Sequence, residues 1–139
     1  MIVVDANVII MAVAQADDEQ NRPLFDSAQQ LFRRAERGDI QVFIPAAVVA
    51  EVMFILTSPR KFGLDSPDAC ELMETLLLTK NIETEGKPQI LRAFALWSAH
   101  PAIGFVDALV AVWADAPANE LASFDRHPKR FQNTTHYAW

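Results

Sequence analysis

The sequence predicts an α/β fold built on a mainly parallel sheet. Short β-rich runs at residues 2–4, 40–44 and 121–124 are interleaved with longer segments of helical spacing. Only four glycines are present, and no repeat, low-complexity tract or Gly/Ser linker interrupts the alternation. Those observations together favour a single domain over residues 1–139, with one sizeable core.

Each element has a local basis. Residues 2–4 are a β-branched run bounded by Asp5, which reads as a buried, central strand. Residues 23–37 place Leu24, Ala28, Leu31, Phe32 and Ala35 at helical spacing. Pro23 suits the first turn, Arg33, Arg34 and Arg37 load the last, and Gly38 suits the stop. Residues 40–44 form a second strand, ended by Pro45. Residues 46–56 read as a helix apolar nearly all round, and therefore buried. Ser66-Pro67-Asp68 supplies an N-cap, a first-turn proline and an acid for a helix through Leu72, Met73, Leu76 and Leu77. A strand centred on Ile82 comes next. A helix over 88–98 has Ile90, Leu91, Phe94 and Trp97 on one face, and an apolar helix covers 105–114. A strand at 121–124 and an edge strand at 134–138 complete the reading.

Composition bounds the function. The 139 residues are 51% hydrophobic and carry 12 basic against 18 acidic side chains, a formal net charge of −6. The hydrophobic share excludes a disordered segment. The one cysteine, Cys70, reads as a core thiol and gives no sign of an oxidising compartment. Residues 1–5 lack the basic start of a signal peptide, and the stretch 44–56 is broken by Glu51 and too short for a membrane span. A cytoplasmic protein with no membrane segment is the expectation. The acidic balance by itself argues against nucleic acid.

The informative residues are acids in apolar contexts. Asp5 follows the first strand, and Glu51 interrupts the most hydrophobic stretch. Asp107 sits in Phe105-Val106-Asp107-Ala108-Leu109, and Asp125 follows Ser123-Phe124. Each alone has an ordinary reading. Asp5 or Asp125 would cap the loop or helix after its strand, Asp107 would serve a helix dipole, and Glu51 would turn one edge to solvent. Together they are harder to explain so. Two stand at C-terminal strand ends, where parallel sheets gather ligand sites, and the helix acids can reach the same crevice. Clustered carboxylates without cations repel one another, and a hard divalent cation, Mg²⁺ or Mn²⁺, relieves that repulsion. Asp115, late in the same helix as Asp107, reads as a solvated helix-end residue.

In that order and near that spacing, Asp5-Ala6-Asn7, Glu51, Phe105-Val106-Asp107-Ala108 and Ser123-Phe124-Asp125 resemble the PIN-domain ribonucleases, closest to the small VapC-type toxins of toxin–antitoxin pairs. The resemblance covers essentially the whole chain. Ser123 stands where the family more often has Thr, which keeps the hydroxyl. The resemblance implies a three-layer α/β/α sandwich and a Mg²⁺- or Mn²⁺-dependent endoribonuclease with Asp5, Glu51, Asp107 and Asp125 as catalytic metal ligands. It also implies a homodimer and a small antitoxin that fills the active groove. Asn7 and Ser123 are candidates to orient those ligands. Asp5-Ala6-Asn7 is also similar to the start of haloacid-dehalogenase-type phosphatases, but these need a second Asp where Asn7 stands.

An RNA substrate requires basic ground. Arg126, Lys129 and Arg130, with His127, follow Asp125 directly and are candidates for phosphate contact. Arg33, Arg34 and Arg37 read as a solvated helix end, and Arg60-Lys61 is a smaller third surplus. Phe131, Tyr137 and Trp139 read chiefly as packing. With four of the 18 acids assigned to one pocket, the acidic total does not exclude nucleic acid. Two alternatives stay open: a PIN nuclease in RNA processing or quality control without an antitoxin, and a non-catalytic PIN-fold binding module.

Overall fold

The computed structural model describes residues 1–14, 19–123 and 136–137. The chain divides into two compact units, Met1–Lys87 and Pro88–Trp139. Every strand pairing among the described residues is parallel, as the α/β reading requires.

The first unit contains β1 (Ile2–Val3), α1 (Ala6–Val13), α2 (Arg22–Arg37), β2 (Val42–Ile44), α3 (Ala46–Thr57), α4 (Ser66–Leu77) and β3 (Ile82–Thr84). The strands lie in the order β1-β2-β3, with Ile2 opposite Val42 and Val42 opposite Ile82. Parallel neighbours need a crossover long enough to return the chain to the same end. Here α1 and α2 make the first crossover, and α3 and α4 the second. Val42, Ile44, Val49, Val52, Met53, Leu56, Met73, Leu77 and Ile82 are buried and form the heart of this unit.

Helix ends follow local chemistry. Gly38 adopts the left-handed conformation (φ 90°) that stops α2, and its N–H returns to the carbonyl of Ala35 at 2.9 Å. The Ala35 carbonyl also accepts from Asn81 Nδ2 at 2.9 Å, which ties the approach to β3 onto the end of α2. Asn81 itself holds φ 63°. Glu85 Oε1 accepts from the N–H of Ala46 at 2.8 Å and caps α3, which Pro45 cannot do with its side chain.

Three expectations for this unit need correction. First, among the described residues β1 is an outer strand of the three-stranded sheet, and Val3 is 62% exposed, where a buried central strand was expected. Second, α4 is capped by Asp65, whose Oδ1 accepts from Asp68 N–H at 2.9 Å, so Ser66 is the first helical residue and is buried. The run after Asp5, to which the sequence reading assigned no element, forms helix α1. Packing on α2 and α3 and a 2.6 Å bond from Gln29 Nε2 to the Ala12 carbonyl hold it helical. Third, α3 is not buried all round. Ala47, Glu51 and Phe54 make an exposed stripe, and Phe54 is 74% exposed.

The second unit holds α5 (from Pro88 onward in Lys87–Ala99), α6 (Phe105–Ala114), β4 (Leu121–Ala122) and β5 (His136–Tyr137). Leu121 pairs with His136, and Ala122 with Tyr137. The ring of Phe105 packs on Phe94 at 5.4 Å and on Trp97 at 6.0 Å between centroids, both tilted, which joins α5 to α6. Arg92 and Asp115 add an ion pair at 3.2 Å. Asp115 is therefore a half-buried, paired residue and not the solvated helix end expected of it. Cys70 is buried and forms no disulfide, in line with a core thiol.

Candidate functional site

Asp5 stands where β1 ends and α1 begins. Its backbone is extended (φ −101°, ψ 176°), and Oδ1 accepts from Val8 N–H at 3.5 Å, the outer limit of a useful hydrogen bond. The capping role foreseen for a lone Asp is thus present, but weak. β1 sets the position of this carboxylate through bonds from Ile2 N to the Gln41 carbonyl (2.7 Å) and from Val4 N to the Phe43 carbonyl (3.1 Å). The buried Ala6 and Ile9 fix the helix that comes after it.

Glu51 projects from the exposed stripe of α3, one helical turn beyond Ala47. Its neighbours Val49, Val52 and Met53 are buried, so the helix cannot roll to turn Glu51 elsewhere. Since α1 packs on α3, the two acids meet at one cleft of about 570 Å³. Asp5, Asn7 and Glu51 line it with Arg60, Lys61 and Phe62, together with apolar side chains that include Ile10 and Ile55. Both carboxylates are exposed. The apolar context read from the sequence belongs to the elements that carry them, not to the carboxylates themselves.

Asp107 lies in the second unit, at the third position of α6. Its Oδ2 accepts from the N–H of Gly104 at 3.3 Å, so the side chain caps its own helix start, where the dipole also favours an anion. Ser123 is half-buried just after β4. Asp125, Arg126, His127, Lys129, Arg130, Phe131 and Trp139 lie outside the described residues.

The structure thus brings together Asp5, Asn7 and Glu51. Among the described residues, no group of three or more His, Cys, Asp or Glu side chains is placed to hold a metal ion. The fit to a divalent cation therefore rests on the pair in the cleft. Two hard oxygen donors stand exposed on it, and neither is consumed by an ion pair among the described residues. That donor chemistry suits Mg²⁺ or Mn²⁺ and accounts for part of a complete ligand set.

The PIN domain family model matches residues 2–133 of the chain. The chain belongs to the PIN domain family. The match runs through both compact units and takes in the positions of all four acids. The PIN domain is generally a nuclease fold, and typically a metal-dependent one. Among curated proteins, none matches this PIN domain in sequence. No helix among its described residues is long and apolar enough to cross a membrane.

Arg60 and Lys61 are cleft residues that the sequence reading counted only as a smaller third basic surplus, and Phe62 is one to which it gave no role. The available signal was their place directly after the helix that carries Glu51. A short basic-aromatic run gains meaning only once α3 is packed on α1.

Proposed function

We propose that this PIN domain is a metal-dependent endoribonuclease and the toxin of a toxin–antitoxin pair. The observation that carries the reading is the placement of Asp5 and Glu51 on one cleft in a chain of a nuclease family. In this reading Asp5, Glu51, Asp107 and Asp125 hold Mg²⁺ or Mn²⁺, with Asn7 and Ser123 orienting them. A bound cation supplies charge stabilisation at the phosphate and acidifies a water for attack. Water adds to phosphorus and the bond to the 3′ oxygen breaks, which leaves a 5′-phosphate and a 3′-hydroxyl. Asp5 serves by its position at a strand end, where the capping bond from Val8 N–H is long and opposes reorientation of its carboxylate only weakly. Glu51 serves by a position that the buried side of α3 keeps fixed.

The toxin role, a small antitoxin partner and a homodimer rest on the resemblance of the whole motif set to VapC-type toxins. Val106, Val110 and Trp113 make an exposed apolar stripe along α6, each at 44–56%, which offers surface for assembly. A cytoplasmic location accords with a single cysteine outside any disulfide. Arg126, Lys129 and Arg130 remain the candidates for RNA contact beside Asp125.

Incubating the purified protein with structured RNAs in Mg²⁺ or Mn²⁺ tests the reading. Wild type should cut and Asp107→Asn should not, and EDTA should stop the reaction. Cleavage that persists in EDTA would exclude the metal-dependent mechanism. Induced expression alone and with a candidate antitoxin tests the toxin role, which requires growth arrest that the partner relieves.

A further inference from the structure

The cleft that holds Asp5 and Glu51 is also lined by Arg60, Lys61 and Phe62, in the segment between α3 and α4. That segment is closed by its own backbone. Lys61 N–H and Gly63 N–H both donate to the Ser58 carbonyl (3.0 and 2.9 Å), and Leu64 N–H donates to the Leu56 carbonyl at 2.9 Å. Gly63 sits at φ 59°, a conformation open to glycine with little strain. The turn is therefore formed without help from the side chains of residues 60–62, and those side chains are left outward.

Both cations are exposed, and neither has an ion-pair partner among the described residues, although two carboxylates line the same cleft. Simple neutralisation of Asp5 and Glu51 thus does not explain them. Phe62 is 45% exposed, against the usual placement of a large aromatic ring. Two free cations next to an open aromatic face are the elements with which proteins hold a single strand. The cations track phosphates, and the ring stacks a base without regard to its identity.

We infer that Arg60, Lys61 and Phe62 form a binding subsite for single-stranded RNA, in which the two cations contact phosphates and the ring stacks a base flanking the scissile bond. The inference rests on the nuclease reading of this cleft. It assigns the subsite to positioning and not to the chemical step, and it makes the preferred substrate unpaired at the cleavage position.

The test measures binding without catalysis. A short fluorescein-labelled single-stranded RNA is titrated with the full chain in EDTA, over a range of NaCl concentrations, with fluorescence anisotropy as readout. The Arg60→Gln/Lys61→Gln variant should lower the slope of log Kd on log salt by about 1.4, since each single-strand phosphate contact contributes about 0.7. Phe62→Ala and Phe62→Leu should each weaken binding by roughly tenfold at unchanged slope, while Phe62→Tyr retains affinity. The control Arg33→Gln/Arg34→Gln, at the exposed end of α2, should leave the slope unchanged. Thermal melting of every variant checks that the fold is intact.

An unaltered slope in the Arg60/Lys61 variant, an equal change in the control, or no binding by wild type overturns the inference. The nuclease reading is judged separately, by cleavage in Mg²⁺ or Mn²⁺. RNA that binds as described but is never cut would defeat that reading while leaving the binding subsite in place.

Discussion

Glu85 accepts a hydrogen bond from the backbone N–H of Ala46 at 2.8 Å, and so caps the helix that carries Glu51. The two residues are 39 apart in sequence, and the bond links the end of β3 to the start of α3. A cap supplied from another element couples sheet and helix, because Pro45 has no side-chain acceptor to offer the first turn.

Glu85→Ala should therefore destabilise the fold by about 1 kcal/mol, the usual magnitude for a lost N-terminal cap. Glu85→Gln keeps an acceptor oxygen and should recover most of that loss. Urea unfolding of the three proteins decides the matter, and equal midpoints for wild type and Glu85→Ala would refute the capping role.

Asp5 carries two roles that substitution can separate. Asp5→Asn retains an acceptor for Val8 N–H but removes the charge. It should keep a wild-type melting temperature and lose RNA cleavage by about a hundredfold or more, the scale of a removed electrostatic contribution at a reacting phosphate. Asp5→Ala should lose activity to the same extent. The cap bond is long at 3.5 Å, so its extra cost in stability should stay below about 1 kcal/mol. Undiminished cleavage by Asp5→Asn would remove this residue from the proposed site.

Divalent cations should stabilise the native chain, because a ligand bound only by the folded state adds RT ln(1 + [L]/Kd). At a hundred times the dissociation constant that is about 2.7 kcal/mol, readily seen as a rise in melting temperature. Glu51→Gln should shrink the rise obtained with Mn²⁺. A wild-type melting curve unmoved by millimolar Mn²⁺ would count against the carboxylate pair as a cation site.

Asp68 offers a pH test at a distance from the site. The carboxylate of Asp65 holds the Asp68 carboxyl above its ordinary value, with smaller contributions from desolvation, the Asp65 side-chain hydrogen bond and Glu71. The dipole of α4 favours an anion at its start, yet the neighbouring acid outweighs it. A carboxyl with a raised folded value contributes stability below its unfolded value and loses it as pH rises through the folded one. Asp68→Asn escapes that loss. The melting temperature of Asp68→Asn relative to wild type should therefore rise as pH goes from the acid side of the carboxylate range toward neutral. A gap that narrows over the same interval would reverse the sign and reject the account.

Local chemistry determined much of this protein in the sequence itself. Gly38 stops α2 because a left-handed residue is needed there, and α6 runs over residues 105–114 as its apolar pattern indicates. The acids in their order identified the family, which the match over residues 2–133 bears out. Tertiary structure decided what local preference could not. Val8, Ile9, Ile10 and Val13 favour a strand by type, yet contacts with α2 and α3 make them a helix. The exposed stripe of α3 was hidden because an almost wholly apolar helix gives no periodic sign of which side faces water. Packing chose that side, and it placed Glu51 on one cleft with Asp5, Arg60, Lys61 and Phe62. Sequence supplied the chemical groups; contacts between residues far apart in the chain placed five of them on one cleft.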